Sequence, residues 1–147
     1  MKRILTSTLL AMLFCFSASA QDMIITGVFD GPLSGGTPKA VEFYVINNIS
    51  DLSAYGFGSA NNGGGSDGEE YTFPAQPATA GTFLYLTANT PEFNTYFGFN
   101  ADFTDGSAGI NGDDAVELFH NGVAVDVFGD INNDGTGTAW DYLDGWA

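Results

Sequence analysis

Apolar residues recur at alternate positions in short runs along this chain, and the runs are separated by Gly, Asn, Asp and Ser. A period of two turns one face of an extended segment toward a core and the other outward, so the spacing predicts strands. The candidates are Met23–Phe29, Ala40–Ile46, Leu52–Phe57, Tyr71–Phe73, Thr82–Thr87, Ala115–His120 and Val123–Phe128. Only "PEFNTYFG", Pro91 to Gly98, is spaced for a helix, with Pro at a first-turn position and about two turns of length. "GSANNGGGSDGEE" (Gly58 to Glu70) and "NADFTDGSAGINGDD" (Asn100 to Asp114) read as long loops. Asp-Gly dipeptides occur at uneven spacing, which argues against a repeat architecture. Many short strands, turn chemistry between them and almost no helix predict an all-β, antiparallel sandwich.

The sharpest local expectation is a hairpin in "AVELFHNGVAVDVFG". Asn121-Gly122 suits a two-residue type I′ turn, because both residues tolerate positive φ. Such a turn pairs His120 with Val123, Leu118 with Val125 and Val116 with Val127 on one apolar face. The other face then pairs Phe119 with Ala124, Ala115 with Phe128 and Glu117 with Asp126. Like charges directly opposite each other destabilise a strand pair by about 0.2–1 kcal/mol. Three arrangements relieve Glu117 and Asp126: they splay into solvent, share a proton, or hold a cation. Splaying costs least on an exposed face, and a shared proton needs burial.

The N-terminus changes the charge of the picture. Lys2 and Arg3 precede the apolar run "ILTSTLLAMLFCF", and Ala18–Ala20 supplies a small-x-small cleavage pattern. That order reads as a signal peptide over residues 1–20, with Gln21 as the mature start, and the run is too short for a membrane span. Cys15 follows Phe14 rather than a small residue, which argues against a lipoprotein signal. Export implies an extracellular or periplasmic protein. The remaining 127 residues (147 − 20) are ample for one domain with a real core. Lys39 is their sole Lys or Arg against 18 Asp and Glu, a formal charge of 1 − 18 = −17. Nucleic-acid binding through phosphates needs clustered basic residues, so the composition argues against it. The mature chain has no cysteine, so a disulfide framework is excluded.

"DINNDGTGTAWD", Asp130 to Asp141, sets oxygen ligands at calcium-loop intervals: Asp130, Asn132, Asp134, the Thr136 carbonyl and Asp141, with Gly135 at the sharp turn. Against calcium, Gly137 stands where an apolar β-branched residue is usual, and a strand rather than a helix precedes the loop. The alternative is a turn in which Asp and Asn bond their own backbone while Trp140, Tyr142 and Trp146 anchor it by packing. Catalytic signals are missing from the sequence. His120, the single histidine, sits beside the hairpin turn with no motif-placed nucleophile, and one histidine cannot build a catalytic zinc site. No phosphate loop, dinucleotide fingerprint or nucleophile elbow occurs. Glu42 and Glu117 are the acids most bound into strand pattern, at positions expected to face outward or to act as structural groups.

Three segments, "DMIITGVFDGP", "TPKAVEFYVIN" and "DLSAYGF", resemble the opening of the lamin-tail domain of exported bacterial proteins. "GINGDDAVELFHNGVAVDVFGD" with "DGTGTAWDYLDGWA" is similar to its second half, and this C-terminal motif is the specific part. The likeness spans nearly all of Asp22 to Ala147. It implies an immunoglobulin-like sandwich used as an accessory module, of the kind that accompanies nucleases, phosphatases or cell-surface sorting tails. Members continue past "GWA" into a final strand, so residues 21–147 are expected to lack that strand and any downstream domain. The family is not defined by a metal site. The resulting expectation is a secreted, non-catalytic module for binding or display, with a protein or glycan partner at the cell surface. The alternatives are an accessory domain of an extracellular hydrolase, or a calcium-dependent adhesion or carbohydrate-binding domain.

Overall fold

A computed structural model describes residues 21–147; the expected signal peptide lies outside the described residues. Among the described residues, eight strands form two four-stranded sheets, with one short α-helix. The first sheet holds β1 (Met23–Leu33), β2 (Thr37–Val45), β5 (Phe83–Thr87) and β6 (Phe103–Thr104) in the order β1-β2-β5-β6. The second holds β3 (Tyr55–Ala60), β4 (Tyr71–Thr72), β7 (Ala115–His120) and β8 (Val123–Phe128) in the order β4-β3-β7-β8. All ladders are antiparallel except the short β5–β6 pair. Pairing β2 with β5 in one sheet and β3 with β7 in the other makes the all-β sandwich the alternation pointed to.

The core forms where the inner faces meet. Val28, Val41, Phe43 and Val45 from the first sheet pack against Tyr55, Phe57, Val116 and Leu118 from the second. Edge-on rings fill the centre, with Phe43–Phe57 centroids 6.4 Å apart and Phe43–Phe73 5.4 Å apart. The helix α1 (Thr90–Phe97) lies on the opposite face of the first sheet, where Phe93 meets Phe29 and Ala40. Pro91 occupies its first turn, and Gly98 ends it in the left-handed conformation at φ 79°.

Three sequence expectations change. Leu52–Ala54 is a 3₁₀ turn rather than strand, because the Asp51 carboxylate accepts the Ser53 N–H at 2.9 Å, and β3 begins only at Tyr55. The segment after β3 is a cover over the outer face of the second sheet. A β-carbon on Gly58 would collide with the Gly68 carbonyl oxygen, and only glycine admits the cover so close. β7 is consequently buried along both faces.

The third change is the hairpin register. Asn121 (φ 51°) and Gly122 (φ 73°) make the expected turn, and His120 pairs with Val123. Val125 is then an extra residue on β8, so Leu118 faces Asp126, Glu117 faces Val127 and Val116 faces Phe128. Val123, Val125 and Val127 are exposed instead of core-facing. The bulge aims Asp126 across to the other sheet, where its Oδ2 accepts the Ile25 N–H at 2.8 Å beside a second bulge in β1. Glu117 and Asp126 therefore never oppose each other.

One end of the sandwich is tied by polar groups. Lys39 Nζ donates to Asp30 Oδ1 and the Ile110 carbonyl, both at 2.6 Å, and to Asn111 Oδ1 at 3.1 Å. The Lys39 and Asp30 side chains are only 14% and 4% exposed. Asp30 Oδ2 accepts the Gly112 N–H at 3.0 Å. Removing one partner of a buried ion pair strands the other charge, at about 3–5 kcal/mol. Lys39→Met is expected to destabilise by that amount in urea unfolding, against about 0.5–1.5 kcal/mol for Tyr142→Phe, which removes one neutral hydrogen bond to the Asp114 carbonyl.

Candidate binding surfaces

The loop from Asp130 to Asp141 folds on its own backbone. Asp130 Oδ1 accepts the Asn132 N–H at 2.9 Å, and Asp134 Oδ1 accepts the Thr136 N–H at 2.9 Å. Asp141 takes the Gly137 N–H on Oδ2 at 2.7 Å and the Leu143 N–H on Oδ1 at 3.0 Å. These bonds hold the Asp134 and Asp141 carboxyls below their ordinary range. Thr136 Oγ1 donates to Asp113 Oδ2 at 3.0 Å, joining the loop to the turn before β7. Among the described residues, no three His, Cys, Asp or Glu side chains gather as a metal-ligand group. Calcium at Asp130, Asn132, Asp134, Thr136 and Asp141 would have to draw three carboxylates off backbone N–H groups.

The aromatic anchors divide. Tyr142 is buried, with its hydroxyl donating to the Asp114 carbonyl at 2.9 Å, and Trp140 packs edge-on against Phe128 at 6.2 Å. Trp146 goes elsewhere. Residues 145–147 run antiparallel beside β1, with the Val28 N–H donating to the Ala147 carbonyl at 2.8 Å and the Asp30 N–H to that of Gly145 at 3.1 Å. This lays the Trp146 indole over Gly27 and Phe29, on the sheet face that carries α1.

There it joins an aromatic layer that the sequence did not disclose. Phe29, Tyr96, Phe97 and Trp146 have centroid spacings of 5.0–6.2 Å. Phe99 extends the layer, 4.9 Å from Tyr85 and 6.0 Å from Phe97. Tyr96, Phe99 and Trp146 are 44%, 43% and 44% exposed, so one surface presents three large rings. Polar groups share the face: Tyr85 donates its hydroxyl to Glu42 Oε2 at 2.7 Å, and Thr26 donates to Glu42 Oε1 at 2.8 Å. Glu42 is half-buried among them. The signal available in the sequence was "YFGF" at Tyr96–Phe99, too short for a period to betray its outward side.

His120 stacks on Tyr55 with ring centroids 4.4 Å apart, and its ring bonds the Asn121 side-chain amide at 3.2 Å. It is a half-buried turn residue. Glu117 departs furthest from expectation, being only 2% exposed with no hydrogen-bond partner for Oε2. Comparison with protein-family models, curated proteins and solved structures found no match.

The tyrosines give a pH test of this geometry. Burial, followed by the Glu42 hydrogen bond, pushes the Tyr85 hydroxyl up to about 12, and burial raises Tyr142 as well. A raised phenol favours the fold while it keeps its proton. That contribution is complete below the unfolded value of about 10 and is lost as pH climbs through 10 toward 12. Absorbance titration is expected to show Tyr85 ionising near pH 12, with stability falling across that window, and Tyr85→Phe to remove that ionisation step.

Proposed function

We propose that residues 21–147 are a secreted, non-catalytic sandwich that binds a cell-surface glycan through the aromatic layer over the first sheet. The observation that carries this reading is the joint exposure of Tyr96, Phe99 and Trp146 on a face whose rings are held by packing. Planar rings offer apolar area at small entropic cost, and the Glu42–Tyr85–Thr26 group beside them supplies hydrogen-bonding partners. The formal charge of −17 favours a neutral or amine-bearing sugar over an anionic one. The lamin-tail resemblance supports the same role, an accessory module that delivers or displays a larger exported protein.

The platform of this reading is the ring-bearing face of the first sheet, not the Asp130–Asp141 loop. Ring anchors at the centre of an interface commonly carry 2 kcal/mol or more, roughly 30-fold in affinity. Affinity electrophoresis through gels containing neutral or amine-bearing polysaccharides is expected to retard the chain. Tyr96→Ala with Phe99→Ala should weaken that retardation at least tenfold while leaving the unfolding midpoint of the core close to the parent's. Retardation that is absent across the panel, or equal in the double variant, would contradict the reading.

A further inference from the structure

Glu42 lies on β2, on the sheet face that carries α1, paired with Gly27 of β1 on one side and Tyr85 of β5 on the other. Residues directly opposite in a ladder share a face, with β-carbons about 4.5–5.5 Å apart. Gly27 leaves its place beside Glu42 free, and the Trp146 indole fills it, so that a β-carbon there would collide with Cζ2. On the other side Tyr85 donates its hydroxyl to Glu42 Oε2 and packs against Phe99. Two residues further along the same face, Tyr44 and Phe83 make another ring pair 5.0 Å apart, with Phe83 48% exposed. The half-buried carboxylate thus has aromatic rings on both neighbouring strands and on its own.

Its charge is unanswered. The Thr26 and Tyr85 hydroxyls are neutral donors, and they use two of the roughly four lone-pair positions of a carboxylate. Lys39, the sole Lys or Arg among the described residues, is committed to Asp30, Ile110 and Asn111. His120 stacks on Tyr55 in the second sheet. A carboxylate set among ring faces draws a positive group twice over, through its charge and through the ring quadrupoles. An ammonium group brings three donors and no acceptor, which suits the free lone pairs.

We propose that this face selects a glycan bearing free amino groups, with the ammonium held by Glu42 and adjoining sugar rings laid on Trp146 and Phe99. The inference rests on the glycan reading above and names the class of glycan. A neutral sugar finds the same rings but leaves Glu42 without a counter-charge, and an anionic sugar is repelled. A lysine side chain offers the same ammonium but no flat sugar face to cover the exposed rings, so the rings favour the sugar. A charged hydrogen bond with a ring contact at a part-exposed site amounts to a preference of about tenfold.

Titration calorimetry of the chain with a glucosamine oligomer and with its fully N-acetylated counterpart of equal length, at a pH that keeps the amines protonated, tests this. Acetylation removes the charge and keeps the sugar ring. The expected result is about tenfold tighter binding of the amine form, a preference that Glu42→Gln abolishes. Asp67→Asn removes the same charge from the exposed cover of the second sheet and should keep the preference. That control separates Glu42 from the general pull of a −17 chain on a polycation. Equal binding of the two oligomers would overturn the inference and leave the glycan reading intact. Binding of neither would overturn it too, and the glycan reading then stands or falls on its own gels. So would an amine preference that survives Glu42→Gln or falls equally in Asp67→Asn, or oligolysine that binds as tightly as the amino sugar. The two-oligomer comparison decides even if Glu42→Gln does not fold.

Discussion

The one Lys or Arg side chain between Gln21 and Ala147 organises one end of the molecule. Lys39 leaves β2, reaches Asp30 on β1, and holds the Ile110 carbonyl and Asn111 side chain of the segment that leads into β7. From there the bonding continues: Asp114 accepts the Asn111 N–H at 2.8 Å and the Asn62 N–H at 3.0 Å, while its carbonyl receives the Tyr142 hydroxyl. The cover, the turn before β7 and the C-terminal loop are strung on this chain of bonds. A buried ion pair adds little net stability over an apolar substitute, but it tolerates only one arrangement of its partners. Here that selectivity fixes which loops meet, and in an antiparallel sandwich the loops and outer faces are what a partner touches.

The acidity that dominates the composition is largely turn chemistry. Asp51, Asp105, Asp130, Asp134 and Asp141 each accept an N–H two residues or four away, closing turns between strands. Asp126 serves across the sandwich, binding β8 to β1. Set against these, Glu117 stands out as a carboxylate enclosed without such a partner. The two outer faces are covered by unlike materials: rings and a helix over the first sheet, glycine backbone over the middle of the second. The ring-covered face offers apolar area to a partner.

Much of the fold was legible. Side-chain alternation depends on the strand itself, so all seven expected strands correspond to strands of the structure, and Asn121-Gly122 makes the expected turn. Several features escaped because their cause lies far away in sequence. The β8 bulge answers to Ile25, 101 residues distant, so a hairpin read in isolation takes the simple register and misplaces Val123, Val125 and Val127. Burial of Glu117 was hidden because its cover, Asn61–Glu70, has no apolar residue to announce packing. The two-residue β6 is too short to carry a period. For Asp130–Asp141, the residues that ligate calcium are also those that close turns, so the pattern alone leaves both open. Trp146 could not be placed without knowing that residues 145–147 pair with β1.

The Lys39–Asp30 clasp and its Asp114 extension are expected to hold the loop end as firmly as the core. Native-state hydrogen exchange on the Gly112, Asn111 and Asn62 amides measures this directly, since each donates into that network. These amides are expected to exchange only through global unfolding, with the same free energy as core amides of β2 and β7. Exchange through local opening, several kcal/mol easier than the core, would contradict it.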